Sequence, residues 1–421
     1  MIKKLIIEKS DKLQKLPPSP VLEAERIKHS LTRRGIEVID LGEFNPDATL
    51  RYDFVPPVDP GEFFEDANFP LMKGLKQQIV KWLEQRYGIR VNGQKEIFPY
   101  FGGKKIIYHL LLGLLNPGDK VALTDPCDPS YKIASTLVGA KWDTLPLLER
   151  NDYLPNMSVF FHAQVDSENP RSKFKILRKT GSKIAFPPAF PKIFLMNYPN
   201  NPTGAVADYA FFREVMKWAG SNNVLLINDA SGNEICYDDY DPVSLLQTKG
   251  AHKLALEQFS FFHLTGIDFG FLIGDRGIIS LVESVHEALG YRISKALVLS
   301  AMDILKNYTV IVRKNNPEFN RRKEVLIEGL AKLGWKAKKP KAGPFVWVNI
   351  PPKYSSVGFS RMLLRKTGVL VTPGFGFGEY GEGYVRLALN LPADQIQKAL
   401  ERMQKHSHVW QRRYKPKTDE E

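Results

Sequence analysis

The chain has 421 residues, 43% of them hydrophobic and 25% charged, a globular composition that excludes a fibrous or wholly disordered protein. At roughly 150 residues per domain it accommodates about three units, or one large α/β unit with a smaller companion. Lysine and arginine number 59 against 46 acidic residues, and the net charge of +13 is spread over short clusters, which predicts a basic surface rather than a basic disordered arm.

The N-terminal MIKKLIIEKSDKLQKL surrounds a short apolar patch with lysines and falls short of the roughly 7 to 15 apolar residues of a signal-peptide core, so a cytoplasmic location is expected. Residues 74–87 place Ile79, Val80 and Leu83 at helical spacing. The most apolar stretch, 106–115 (IIYHLLLGLL), is far shorter than the roughly 20 residues that cross a bilayer and reads as a buried helix. Five strands are expected, at 120–126, 192–199, 224–230, 255–260 and 269–275, with a helix at 209–219 among them. Short apolar runs alternating with helical stretches are the pattern of parallel strands joined by crossover helices. The polar stretch 166–183 falls between two core strands and is expected to be a surface insertion. From about Asn320 the pattern changes to a basic helix, strand-like segments around PFVWVNI and YVRLALN, and a final helix, which predicts a smaller α+β domain. The expected division is an N-terminal segment 1–60 packing with the small domain, a large domain 61–305 and a small C-terminal domain 306–421. Cys127 and Cys236 lie far apart with no CxxC spacing, so neither a disulfide framework nor a structural zinc site is expected, and a reducing compartment is.

Three segments combine strand ends with turn-forming residues: NYPNNPTG at 197–204, INDASGNEI at 227–235 and VTPGFGFGEYGEGYVRLALN at 371–390. Ligands of open α/β sheets sit outside the carboxyl ends of strands, so Asn201 and Asp229 are expected to face one crevice. Taken singly, an Asn-Pro-Thr-Gly turn and an Asp after a strand serve equally as a plain turn and a helix cap.

Taken in order with SDKLQKLPPSP, IDLGEFNPD, FPLMKGLKQQIVKWLEQRYG, FGGKK, LNPGDKVALTDPCDPSY and LTGIDFGFLIG, these segments resemble the class I/II aminotransferases over nearly the whole chain. Those are the fold type I enzymes that use pyridoxal phosphate, and the likeness is greatest to the LL-diaminopimelate aminotransferase branch. The resemblance implies an α/β fold with a mixed, mostly parallel sheet in the large domain, a smaller α+β domain, and a dimer whose sites are built partly from the neighbouring subunit. It further implies that Asp229 pairs with the pyridinium nitrogen, Asn201 bonds the ring hydroxyl, Lys104 belongs to the phosphate cradle and Arg386 takes the substrate α-carboxylate. The planar fork of an arginine suits a carboxylate bidentately.

Other positions depart from the family pattern. Where the family has S-x-S-K-x-x-x-M-T-G-W-R, the chain runs from Ser260 through His263 to Asp268, with His263 in the lysine slot and Asp268 at the phosphate-binding arginine. An imidazole cannot form a Schiff base, which needs a primary amine. A carboxylate near a phosphate repels by about 4 kcal/mol per unit charge pair at 4 Å and an effective dielectric near 20, unless it is protonated or pairs with a lysine such as Lys104. The cradle Gly102-Gly103-Lys104-Lys105-Ile106 lacks the family's hydroxyl. Asp128 stands at the stacking aromatic, Gly232 at the tyrosine for the ring hydroxyl, Phe69 at the cross-subunit phosphate tyrosine and Phe44 at a pocket glycine.

Loss of site chemistry beside intact turns and core segments predicts a pseudo-aminotransferase with impaired pyridoxal phosphate binding. It would act by binding a small carboxylate at Arg386 or a partner protein, as a homodimer or as a heterodimer with an active relative. Two alternatives stand beside it. His263 could carry protons on a pyridoxamine phosphate adduct, as a histidine does in sugar dehydratases of this fold, or could be a core residue beside Phe261 and Phe262. Conventional transamination would need another lysine, and Lys253 and Lys295 are out of register. The basic runs 336–341 and 411–417 are read as solvated segments, with no nucleic-acid, membrane or metal partner expected.

Overall fold

The computed structural model describes residues 8–16, 20–57, 59–63, 65–157 and 190–411; the expected insertion at 166–183 and most of the basic run 411–417 lie outside them. In chain order the strands are β1 (Ile39–Asp40), β2 (Ile97–Phe101), β3 (Lys120–Asp125), β4 (Lys141–Pro146), β5 (Ile193–Asn197), β6 (Leu225–Asp229), β7 (Ala255–Ser260), β8 (Phe269–Gly274), β9 (Ala337–Lys338), β10 (Phe345–Asn349), β11 (Val369–Leu370), β12 (Thr372–Pro373) and β13 (Tyr384–Ala388).

Seven of these form the large sheet, in the order β2-β8-β7-β6-β5-β3-β4. Strands β3 to β7 run parallel, and their alternate residues feed two cores: Phe194 and Met196 pack on one face, Ile193 and Leu195 on the other. Strand β8 makes the sheet mixed and mostly parallel, as expected, since it runs antiparallel to both β7 and β2. The link from β7 to β8 is too short for the dozen or so residues that a parallel crossover needs. Two strands that the hydrophobic pattern hides, β2 and β4, are the sheet's edges. Pro99 is tolerated in β2 because an edge strand has one side without ladder bonds, and β4 leaves Trp142 exposed.

Helices pack on both faces. The helix Phe69–Tyr87 starts where the Asn68 side chain accepts from Leu71 N at 3.0 Å and stops at Gly88, whose φ of +67° suits glycine. The helix Lys105–Leu114 buries Ile106, Ile107, Leu110 and Leu111, in keeping with its apolar sequence. The C-terminal part holds the antiparallel sheet β12-β13-β10-β9, covered by the helices Tyr308–Lys332, Ser356–Thr367 and Ala393–Lys405. The first of these begins well before Asn320 because Pro317 and the polar run around it mask the period, while Ile311, Asn315 and Phe319 face the core. Strand β1 pairs in parallel with β11, and Leu31 packs with Leu364 and Leu370, which ties the N-terminal residues to the C-terminal ones.

Candidate functional site

A cavity of about 390 Å³ opens at the carboxyl ends of the parallel strands, where the large sheet faces β10 and β13. Lys104, Asn201, Asp229, His263 and Arg386 all line it, so the five residues singled out from the sequence come together. Asp229 ends β6, Asn201 follows β5 on its turn, His263 follows β7, and Arg386 projects from β13.

Arg386 is the most deeply held cation of the cavity, 4% exposed. Its Nη1 donates to Asn201 Oδ1 at 2.9 Å and its Nη2 to Gly42 O at 2.8 Å. The rings of Phe345 and Phe377 lie 4.1 and 4.7 Å from the guanidinium carbon. Burial pulls its pKa below the ordinary value, and the nearest acidic group is Glu43, 3.7 Å away and half-exposed. Arg386 Nε is buried without a partner, as are Asn200 Nδ2 and Gln258 Oε1 on the same wall.

Asn201 extends this chain of bonds, its Nδ2 donating to Asp128 Oδ2 at 2.9 Å. Asp128 begins the helix Pro129–Leu137, where its Oδ1 accepts from Ser130 N at 3.0 Å and Ser130 Oγ at 2.7 Å. Burial alone would raise its pKa, but the charge and hydrogen bond of Lys104 Nζ on Oδ2 hold it below the usual carboxylate range. Where the family pattern has a stacking ring, the cavity thus holds a buried anion paired with a lysine.

Asp229 is enclosed on both oxygens. Tyr131 Oη donates to Oδ2 at 2.5 Å, while Ser231 N at 3.0 Å and Ser231 Oγ donate to Oδ1. Burial raises its pKa against these bonds, and the neighbouring Asp128 adds to the rise. Asn197 Nδ2 donates to Asp229 O at 2.6 Å, and Asn197 Oδ1 accepts from Asn201 N at 2.7 Å, so one asparagine fixes both the β6 end and the turn after β5. Tyr131 and Ser231 were not singled out from the sequence. Ser231 carries a local signal, an Asp-x-Ser turn, whereas Tyr131 reaches Asp229 across 98 positions.

His263 packs edge-on against Phe44, centroid to centroid 5.0 Å, and Phe345, 5.7 Å. Its Nδ1 lies 3.4 Å from Ser231 O, an acceptor, which assigns the ring hydrogen to Nδ1 and leaves Nε2 as the free lone pair. Burial, with Lys104 and Arg386 adding repulsion, pushes the imidazole down to about 4, so it is neutral at pH 7.

Of the two ways the sequence left open for Asp268 to shed its charge conflict, pairing with Lys104 does not occur, because Lys104 pairs with Asp128. The Asp268 carboxylate lies instead against the Gly102–Gly103 turn. Those glycines take φ of +108° and +58°, and a Cβ on Gly103 would sit 3.2 Å from Asp268 Oδ1. The backbone cup just ahead of the helix Lys105–Leu114 therefore faces this chain's own carboxylate. Asp268 itself is exposed, and its pKa is raised by burial in part of its surroundings, opposed by the nearby backbone N–H groups of the turn and by Lys105.

A seven-stranded mixed sheet with a cavity closed by a second, smaller sheet is the architecture of the fold type I aminotransferases. The substrate-bound BacF structure from Bacillus subtilis superposes with a TM-score of 0.80 at 28% identity, covering 95% of this chain and 98% of that one. An aspartate aminotransferase double mutant from Thermus thermophilus matches the fold with a TM-score of 0.78 at 22% identity, over 95% and 100% of the two chains. The family model described as aminotransferase class I and II matches residues 59–403, and the chain belongs to that family. It is 32% identical over 401 residues to an LL-diaminopimelate aminotransferase of Dehalococcoides mccartyi strain CBDB1, spanning 94% of this chain and 97% of the relative. A second LL-diaminopimelate aminotransferase, from Halothermothrix orenii, is 31% identical over 408 residues, with 94% and 98% covered. Pyridoxal phosphate is the cofactor the family implies. No described helix is long and apolar enough to cross a membrane.

Proposed function

We propose that this family member is a pseudo-aminotransferase, which binds a small carboxylate at Arg386 and does not use pyridoxal phosphate. The observation that carries the reading is the Asp268 carboxylate beside the Gly102–Gly103 turn, a negative charge where a cofactor phosphate would need to sit. The residues present do not fit the cofactor. His263 offers no primary amine, Asp229 is already satisfied by Tyr131 and Ser231, and both ends of the Asn201 amide are engaged. A buried guanidinium whose nearest acid is 3.7 Å away still favours an incoming anion.

Transamination of the kind named for its relatives is the second reading, and one observation favours it: Lys104 is a lysine on the cavity wall. Proton transfer by His263 is opposed by an imidazole too weakly basic to hold a proton at pH 7. The test is titration with pyridoxal phosphate, followed by visible absorbance, borohydride reduction and mass mapping. The proposal expects no stoichiometric adduct. A lysine labelled in full yield, Lys104 included, would overturn it. Substituting Arg386→Met is expected to abolish binding of small carboxylates while leaving the fold intact, since Met can pack between Phe345 and Phe377.

The same reading takes the protein as cytoplasmic and as a homodimer. Phe69, 74% exposed at the start of its helix, stands near Phe63, Tyr291 and Leu297, which are exposed too. These segments are knit together by Ala67 N to Ile293 O at 2.8 Å and Lys295 N to Glu65 O at 2.7 Å, so the apolar side chains share one surface that a second copy would cover.

A further inference from the structure

We propose that a second groove, where the carboxyl ends of the helices Pro20–Arg33 and Ser356–Thr367 meet, binds a chain of two or three phosphoryl groups, borne by a nucleotide or as free polyphosphate. The groove has a volume of about 690 Å³ and is lined by Arg26, Ile27, Ser30, Leu31, Arg34 and Arg365. It shares no residue with the cavity around Arg386, and the inference is independent of the reading given to that cavity.

Three of the six lining residues are arginines and none is acidic. Arg26, Ser30 and Arg34 follow one another at four-residue spacing and so share one stripe, while Arg365 reaches the groove from the last turn of the neighbouring helix. The acids close by in sequence are taken by other cations: Glu25 and Asp40 by Lys28, Glu37 by Lys398 and Arg402. No ion pair with a described residue neutralises Arg26, Arg34 or Arg365, and all three are exposed. Helix ends favour basic residues because their free carbonyls carry partial negative charge. Arg33 and Lys366 already serve that role, and Arg26 stands about two turns before the end of its helix. Like charges gathered in one concavity repel, and an anion that bridges them relieves the repulsion.

The spacing sets the class of anion. With a rise of about 1.5 Å per residue, Arg26 and Arg34 start about 12 Å apart along the helix, with Ser30 midway. Guanidinium forks that match phosphate oxygens bidentately from two such positions converge more readily on a row of phosphoryl groups than on one phosphate, and the Ser30 hydroxyl can donate between them. Beneath the arginines Ile27 is half-buried, and Leu31 is buried against Leu364 and Leu370, so the floor offers an apolar patch to a sugar or base. The volume falls within the roughly 300–1,000 Å³ of small-molecule sites. A nucleic-acid strand is followed by a basic stripe longer than one such pocket, whereas these arginines converge on a single groove.

The test is titration calorimetry of the full chain with ATP, tripolyphosphate and inorganic phosphate, at about 150 mM salt and without magnesium. The variants are Arg26→Gln, Arg34→Gln and Arg365→Gln, singly and together. Arg33→Gln is the control, an exposed arginine of the same helix that does not line the groove. All lie at exposed positions, where substitution is close to neutral for folding, and unchanged thermal midpoints verify it. ATP or tripolyphosphate is expected to bind about tenfold or more tighter than phosphate, to lose about threefold or more in each single variant, and to stay within about twofold in Arg33→Gln. Tighter binding of ATP than of tripolyphosphate supports a nucleotide as the source, and the reverse supports free polyphosphate. Binding that survives in the triple variant, which leaves the cavity around Arg386 intact, would overturn the inference. So would an equal loss in Arg33→Gln, no binding by wild type, or a single-stranded oligonucleotide that binds more tightly than ATP.

Discussion

On the proposed reading, replacing Asp268 with serine should strengthen phosphate binding at the Gly102–Gly103 turn. The substitution removes a negative charge from beside the Gly102–Gly103 turn. A unit charge pair at about 4 Å interacts by about 4 kcal/mol at an effective dielectric near 20 and by about 1 kcal/mol in water. Asp268 is exposed, so the lower part of that range applies: about 1–2 kcal/mol for each phosphate charge. A phosphate monoester near neutral pH carries about 1.5 to 2 charges, which gives about 3 kcal/mol, or roughly a hundredfold in affinity. Equilibrium dialysis with inorganic phosphate and with pyridoxal phosphate reads the change directly, because neither measurement depends on catalysis. The pH profile supplies a second readout. The folded pKa of Asp268 is raised, so the wild-type cup should gain phosphate affinity as pH falls through that value, and the serine variant should lack this acid-side gain. Equal phosphate affinity in the two proteins at pH 7.5 would refute the assignment of Asp268 as the occupant of the cup.

Three further outcomes follow from the packing. Glu257 is fully buried, accepts from Ser244 Oγ, from Asn228 Nδ2 at 2.8 Å and from Leu245 N at 3.2 Å, and is pushed by burial from 4.5 up to about 7. The folded state keeps this proton where the unfolded chain has lost it, so its contribution is fully present below about pH 4.5 and is lost as pH rises through about 7. Urea unfolding should therefore show roughly 3 kcal/mol less stability from this group at pH 8 than at pH 4.5, with a flatter profile in Glu257→Gln. Arg322, fully buried, donates from Nε to Glu318 Oε1 at 2.8 Å, from Nη1 to Leu389 O at 3.2 Å and from Nη2 to Thr49 Oγ1 at 2.7 Å, and Arg322→Met should cost about 3–5 kcal/mol in the same assay. The proposed homodimer interface predicts that Phe69→Glu sediments as a monomer where wild type sediments as a dimer, and equal sedimentation of the two proteins would refute it.

Much of the architecture was legible because it depends on local chemistry. The apolar runs at β3, β5, β6 and β7 leave little choice but buried parallel strands, and Asn68 and Gly88 mark the ends of the helix between them. The direction of β8 was not legible in its own residues, because it is set by the length of its link to β7. The edges β2 and β4 escaped for a different reason. One holds a proline and the other exposes a tryptophan, both permitted only where a strand lacks a second neighbour.

In the site, side-chain identity located the five cavity residues but left open what faces Asp268. The answer is a backbone turn whose two glycines take positive φ, a feature that no charge in the sequence announces. That distinction bears on how the substitutions are weighed. In a site decaying at random, a new acid would as often be left buried without a donor, at a cost of several kcal/mol. Here the new buried acid, Asp128, has Ser130, Asn201 and Lys104, while Asp268 is exposed to solvent. The cavity's buried polar atoms without partners are instead Arg386 Nε and the amides of Asn200 and Gln258. Asp128 and Asp229 have internal partners while Arg386 keeps Nε without one, and the proposed anion site at Arg386 rests on that contrast.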